Sequence, residues 1–289
     1  MFFSSILGNL TGGQNGDASG DGFTDEFGFK ESVLAFYFLG RAYFDGNGVE
    51  QNYAESAKFF QKAVDEFDLH SYDYYDSDHP RWLISRCPVV GRETRLFELV
   101  FEYIYDAWYH LGVMYWHGLG VAQNYEKAVE FFRQATEERN LRIHWDGDNH
   151  YWDVHYPVEA YSMLGNAYYS GHGVKQNYDE AVSLYRRGAD AGSAEGMKGL
   201  GDACRSGNGT ERNLDEALNW YIQAAGKDNA EAMNNLADMY SRGEGCTQDL
   251  GEAMKWCVKA AQLGNADAKS KLAQLMGNVP QSGTELPNS

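Results

Sequence analysis

Apolar and polar positions follow a helical period along most of the chain, and one short arrangement of them returns at constant offsets. Leu39, Leu111, Leu164, Leu200 and Leu236 are each followed by a small residue, Gly40, Gly112, Gly165, Gly201 or Ala237. Four positions after the leucine stand Tyr43, Tyr115, Tyr168, Cys204 and Tyr240. These positions are neighbours on a 3.6-residue helix, so a first helix is predicted with an apolar stripe and a notch where another backbone can approach. Paired glycines follow at Gly46 and Gly48, Gly118 and Gly120, Gly171 and Gly173, Gly207 and Gly209, and Gly243 and Gly245. Glycine tolerates the left-handed conformation of a helix C-terminus, so each pair ends its helix. Asn52, Asn124, Asn177, Asn213 or Asp249 comes next and reads as the N-cap of a second helix. That helix carries Ala128, Phe132 and Ala135, or Ala181, Tyr185 and Gly188, or Ala217, Tyr221 and Ala224, one face at i, i+4, i+7. Each unit is therefore an antiparallel helix pair, which cannot bury both faces alone and must stack into an array with a concave and a convex side.

The interval from Leu164 to Leu200 to Leu236 is 36 residues each time, and a further step reaches Leu272, where Leu272-Ala273 and Met276 restart the pattern. From Leu39 to Leu111 the interval is 72, and from Leu111 to Leu164 it is 53, so two insertions interrupt the period. Units are expected near 32–66, 106–136, 159–194, 195–230 and 231–266, with a terminal half-unit at 267–276 and insertions at 67–105 and 137–157. The first insertion is either a repeat that has lost its glycines or a loop followed by an extended helix; the missing Gly-x-Gly favours the second. Residues 1–31, rich in Gly and Asp, read as a flexible leader and 277–289 as a flexible tail.

The string Leu-Gly-x-x-Tyr-x-x-Gly-x-Gly-Val, followed by Asn-Tyr and an alanine-rich helix, resembles the Sel1-like repeat, a relative of the tetratricopeptide repeat. Leu111 to Val121 with Gln123-Asn124-Tyr125, and Leu164 to Val174 with Asn177-Tyr178, carry the resemblance most fully. Departures are Ser56 for alanine, Cys204 for tyrosine, and Thr210 and Cys246 for valine. The resemblance implies an all-α, right-handed superhelical solenoid of antiparallel helix pairs. It also implies a non-catalytic adaptor or scaffold that binds another protein through the concave surface of its first helices.

On each first helix, positions two before, two after and five after the leucine lie roughly 140 to 200 degrees from the core stripe. They are the candidate partner-binding residues: Tyr37, Arg41 and Phe44; Tyr109, Val113 and Trp116; Asn166 and Tyr169; Asp202 and Arg205; Asn234 and Asp238. The N-terminal members are aromatic beside an arginine, the composition of binding hot spots. Alternatively, Tyr109 and Trp116 cover the long helix of the first insertion. The insertions add Tyr72, Tyr74, Tyr75, Trp82, Trp145 and Trp152 as candidate contacts.

Net charge is −18, from 24 basic and 42 acidic residues. Such a charge repels nucleic acid and anionic membranes and suits a basic protein partner, although it also serves solubility. It motivates a second reading, an acidic inhibitor or immunity protein that neutralises a basic toxin or enzyme. Cys87, Cys204, Cys246 and Cys257 follow neither disulfide-scaffold nor metal-site spacing. With no run of ~20 apolar residues, a cytoplasmic monomer is expected. His144, His150 and His155 do not share a helix face, and the acidic run near Asp17 to Asp25 lacks the closing Glu of a calcium loop, so no metal or other cofactor is expected. No GxSxG, HExxH or phosphate-binding loop is present, which argues against an enzyme. Cysteine-rich relatives linked to beta-lactam chemistry supply a minor alternative, but this chain lacks their regular cysteine pairs.

Overall fold

The computed structural model describes residues 25–67, 93–137 and 157–277, which hold eleven helices and no strand. The chain divides into two compact units, Met1–Pro157 and Val158–Ser289. In the first, α1 (Asp25–Asp45) pairs with α2 (Tyr53–Glu66), and α3 (Glu93–His117) pairs with α4 (Tyr125–Thr136). Helix α3 also packs on both α1 and α2. The first two repeats are thus direct neighbours, with no helix pair of the described residues between them. Helix α1 starts at Asp25, inside the expected leader, and α3 runs unbroken from Glu93 through the expected start of the second repeat.

The second unit contains α5 (Val158–Ser170), α6 (Tyr178–Asp190), α7 (Ala194–Ser206), α8 (Leu214–Ala225), α9 (Ala230–Arg242), α10 (Leu250–Gln262) and α11 (Ala266–Gly277). Each second helix packs on the first helix of its own pair and on the first helix of the next. The odd-numbered helices are called A helices below and the even-numbered ones B helices. Together they make an all-α helical-repeat fold of the solenoid class.

Local chemistry explains the regularity. Asn52, Asn124, Asn177, Asn213 and Asp249 all hold extended backbone, and each side chain accepts the amide three residues on, which satisfies one orphan donor at every B-helix start. The two glycines of a pair do different jobs. Gly207, at φ 77°, closes α7 by donating to the Ala203 carbonyl. Gly209 brings one repeat against the backbone of the preceding one: a Cβ there would lie 2.4 Å from the Tyr178 oxygen.

The notch after the leucine receives a side chain from the partner helix instead of a backbone. A Cβ on Gly112 would lie 2.5 Å from the Phe132 ring, and one on Gly201 2.6 Å from the Tyr221 ring. Both rings are fully buried. The last full repeat carries Ala237 and Cys257 at the equivalent positions, a larger notch residue beside a smaller filler, both buried. The Ser56 departure is also explained, since its buried hydroxyl donates to the Gly40 carbonyl at 2.8 Å.

Candidate functional site

The A-helix stripe is built into a ladder of contacts between successive repeats. The residue two after the leucine reaches the residue one before the next leucine: Arg41 meets His110, Asp202 accepts from Asn235 at 3.1 Å, and Asp238 accepts from Lys271 at 2.6 Å. Asn166 faces Gly199 in this register, so its amide turns to Glu195 at 3.4 Å. A second rung joins the residue two before one leucine to that five before the next. Tyr37 donates to Asp106 at 2.6 Å, and Lys198 pairs with Glu231 at 3.1 Å. A third runs between loop-proximal positions, with Arg205 donating through Nη2 at 2.7 Å and Nε at 3.0 Å to one oxygen of Glu244, and Tyr169 accepting from Asn208 at 2.9 Å.

Most candidate residues thus have partners within the chain. Tyr185 and Tyr221, the rings in the notches, donate to Asn166 at 2.7 Å and Asp202 at 2.6 Å, tying the stripe to the core. Phe44 packs on Tyr53 and His110. Tyr109 and Trp116 both pack against Phe132, and Trp116 also meets Tyr125 edge-on, so they lean on their own B helix, α4. Val113, on α3, is half-buried. Asn234 is buried, and its side-chain oxygen has no partner among the described residues. Gln51, Gln123 and Gln176, to which the sequence pattern assigns no role, each donate at 2.8 Å to the last A-helix turn and at 3.0 Å to the tyrosine opening the B helix. Their constant place before the N-cap was the available signal.

Electrostatics differ between the two units. Burial alone would raise the Asp106 carboxyl, but the hydrogen bond and charge of His110, with Tyr37 and Arg41, outweigh it and hold the group below its ordinary value. Burial, then the Asp106 charge, pushes the Tyr37 phenol far up. In the second unit, burial would lower Lys198, yet Glu195 and Asp202 outweigh it and hold the ammonium well above the lysine range. Asp202 is raised, because its burial exceeds the help of Lys198 and Tyr221.

An open cleft of about 530 Å³ lies between α1 and α3, with Tyr37, Phe38, Arg41, Asp45, Glu102 and Tyr103 in its wall. Tyr103 packs against Tyr37 at 4.6 Å and Phe38 at 5.0 Å between ring centroids. A second cleft of about 470 Å³ is lined by α2, α3 and α4, with Trp108, Tyr115 and Phe131 among its walls.

The sequence pattern described as Sel1 repeat matches residues 34–66, 106–140, 158–193, 194–229 and 230–265, more than half of the chain. The chain belongs to the Sel1-repeat family. Among solved structures it is similar to a Sel1 repeat protein from Oxalobacter formigenes, at 23% identity and TM-score 0.61, over 88% of this chain and 81% of that one. It is also similar to a protective antigen present in uropathogenic Escherichia coli strains and displaying an SLR fold. That match has 26% identity and TM-score 0.53, and covers 88% of this chain but only 43% of the antigen. Sel1-repeat proteins are generally protein-interaction scaffolds, and binding another protein is what this fold supports.

Several expected features of this Sel1-repeat chain, Tyr72, Tyr74, Tyr75, Trp82, Trp145, Trp152 and the three insertion histidines, lie outside the described residues, as does Cys87. Cys204, Cys246 and Cys257 are free thiols. Among the described residues no group of three or more His, Cys, Asp or Glu is arranged to hold a metal. No described helix is long and apolar enough to cross a membrane.

Proposed function

We propose that this Sel1-repeat protein is a non-catalytic scaffold that holds a partner protein on its A-helix stripe, with the first unit as the main docking region. The observation that carries this reading is the ladder. By tying Arg41 in the first unit, and Asn166, Asp202, Arg205 and Asp238 in the second, to neighbours, it gives each unit a stripe whose side chains are already ordered, so a partner loses little entropy in meeting it. Beside that surface, Phe38, Tyr103 and Arg41 supply hot-spot side chains around an open cleft. In this reading the insertion aromatics also contact the partner.

The test is affinity capture from the cell that makes the protein, using the full chain and the double variant Tyr109→Ala, Trp116→Ala. Wild type should recover a stoichiometric partner. The variant should lose most of it while still unfolding cooperatively on heating. Undiminished recovery would mean that the stripe on α3 is not the docking face.

A second reading is favoured by the acid excess of the cleft, whose wall Asp45, Glu102 and Asp106 share with Arg41. It makes the chain an inhibitor that occludes a basic toxin or enzyme. Its signature is an association rate that falls steeply with added salt, because long-range steering is screened. A salt-indifferent rate rejects it.

A further inference from the structure

We propose that the cleft between α1 and α3 takes up the cationic end of a lysine or arginine side chain presented by the partner. The inference rests on the scaffold reading and names the chemistry of the group that the partner inserts.

Charge within the cleft is the first argument. Arg41 is already committed, to Asp45 at 3.0 Å and Asp106 at 3.7 Å, whereas Glu102 is exposed and has no hydrogen bond or ion pair among the described residues. Three carboxylates against one guanidinium leave the cleft anionic. The Tyr103 phenol senses it, raised by burial and then by Glu102 and Asp106.

The second unit supplies the comparison. There the chain's own cation, Lys198, two before its leucine, sits among Glu195 at 2.8 Å, Glu231 at 3.1 Å and Asp202 at 3.6 Å, and of these only Glu231 has an acidic counterpart in the first unit, Asp106. In the first unit that position is Tyr37, so the chain brings no lysine to the corresponding place. The cleft of about 530 Å³ opens beside Tyr37 and Asp106.

Shape and surface are the third argument. The half-buried rings of Tyr103 and Phe38 stand beside Glu102, offering an aromatic wall to a cation and its methylene stem while the carboxylate neutralises the head. A cation gains from both, whereas an anion would meet Asp45, Glu102 and Asp106.

The probe is hexa-arginine, titrated into the full chain by calorimetry at low salt. Binding should weaken by roughly two- to five-fold in Glu102→Gln and again by roughly that factor in Tyr103→Leu, the range for one exposed ion pair or cation–π contact. Glu102 is exposed, so its glutamine variant keeps the fold. The control is the pair Glu211→Gln, Asp190→Asn, which removes two exposed carboxylates from the second unit and should leave binding unchanged. Equal weakening by the control pair means diffuse attraction to an acidic surface and overturns the proposal. So does an absence of hexa-arginine binding, as when the chain's own side chains fill the cleft or an apolar group enters it. If partner capture succeeds while Glu102→Gln has no effect on hexa-arginine, the scaffold reading stands and only the cleft chemistry falls. If hexa-arginine binds as described and no partner is captured, it is the scaffold reading that fails.

Discussion

The phenol of Tyr221 donates to Asp202 Oδ1 at 2.6 Å while its ring fills the notch at Gly201, so one side chain joins the buried core of a repeat to its outer polar stripe. The core half of that relationship is testable by exchange. Gly201→Ala should cost about 1–3 kcal/mol by overpacking against the ring, and Tyr221→Cys about 3 kcal/mol by leaving a void. The double variant copies the Ala237 and Cys257 arrangement of the last full repeat. In urea unfolding it should be more stable than the sum of the two losses by at least ~0.5 kcal/mol. Simple additivity would show that the notch and its filler are not coupled.

The two glycines of a pair should respond differently to alanine. At Gly207 the cost is that of a left-handed alanine with a moderately close Arg212 Cβ at 3.1 Å, about 1 kcal/mol. At Gly209 the same backbone cost is joined by a collision with the Tyr178 carbonyl, so the loss should exceed that at Gly207 by at least ~1 kcal/mol. Thermal and urea unfolding of the two single variants decide it, and equal losses would remove the close-approach role assigned to the second glycine.

Lys198 is the hub of its rung, half-buried among Glu195, Asp202 and Glu231. Lys198→Met keeps the length of the stem but leaves three carboxylates facing one another. A destabilisation of about 2–3 kcal/mol is expected, below the figure for a fully buried pair because Glu231 is mostly exposed. Adding Glu231→Gln to this variant should restore part of the loss. A further loss would contradict the charge argument.

Asp106 gives the first unit a pH dependence of definite sign. Its folded-state pKa lies below the ordinary carboxylate value of 3.8, so the folded state binds the proton less tightly than the unfolded one. Its contribution to stability is present above that ordinary value and is lost as pH falls through the folded value. Asp106→Asn should therefore be less stable than wild type by about 1 kcal/mol at pH 7, the scale of one charge-assisted hydrogen bond discounted for partial exposure. The difference should shrink toward zero in acid. A gap that stays constant down to pH 3 would show that the carboxylate's charge is not what matters.

How much of this was legible beforehand is clearest at two places. The N-caps at Asn124 and Asn213, and the helix stop at Gly207, follow from local backbone chemistry, which acts within a few residues and leaves a mark at constant offset. The rung partners do not act locally. Asp202 and Asn235, or Asp238 and Lys271, are 33 residues apart, and Arg41 and His110 are 69 apart because an insertion adds one period between them. Periodicity places Arg41 on the outer stripe, but only stacking reveals that its neighbours there are His110 and Asp106.

The sequence by itself therefore determined the helix pairs, their caps and breaks, their stacking into an array and the family. All are set by short-range sterics and hydrogen bonding repeated at one period. Tertiary structure decided what filled the notch, why a second glycine is needed, and which stripe residues are joined to a neighbour. It also left Glu102 and Tyr103 at an open cleft in the first unit, while Lys198 occupies the corresponding rung in the second. Those outcomes depend on distances between residues far apart in the chain, and no local pattern encodes a distance.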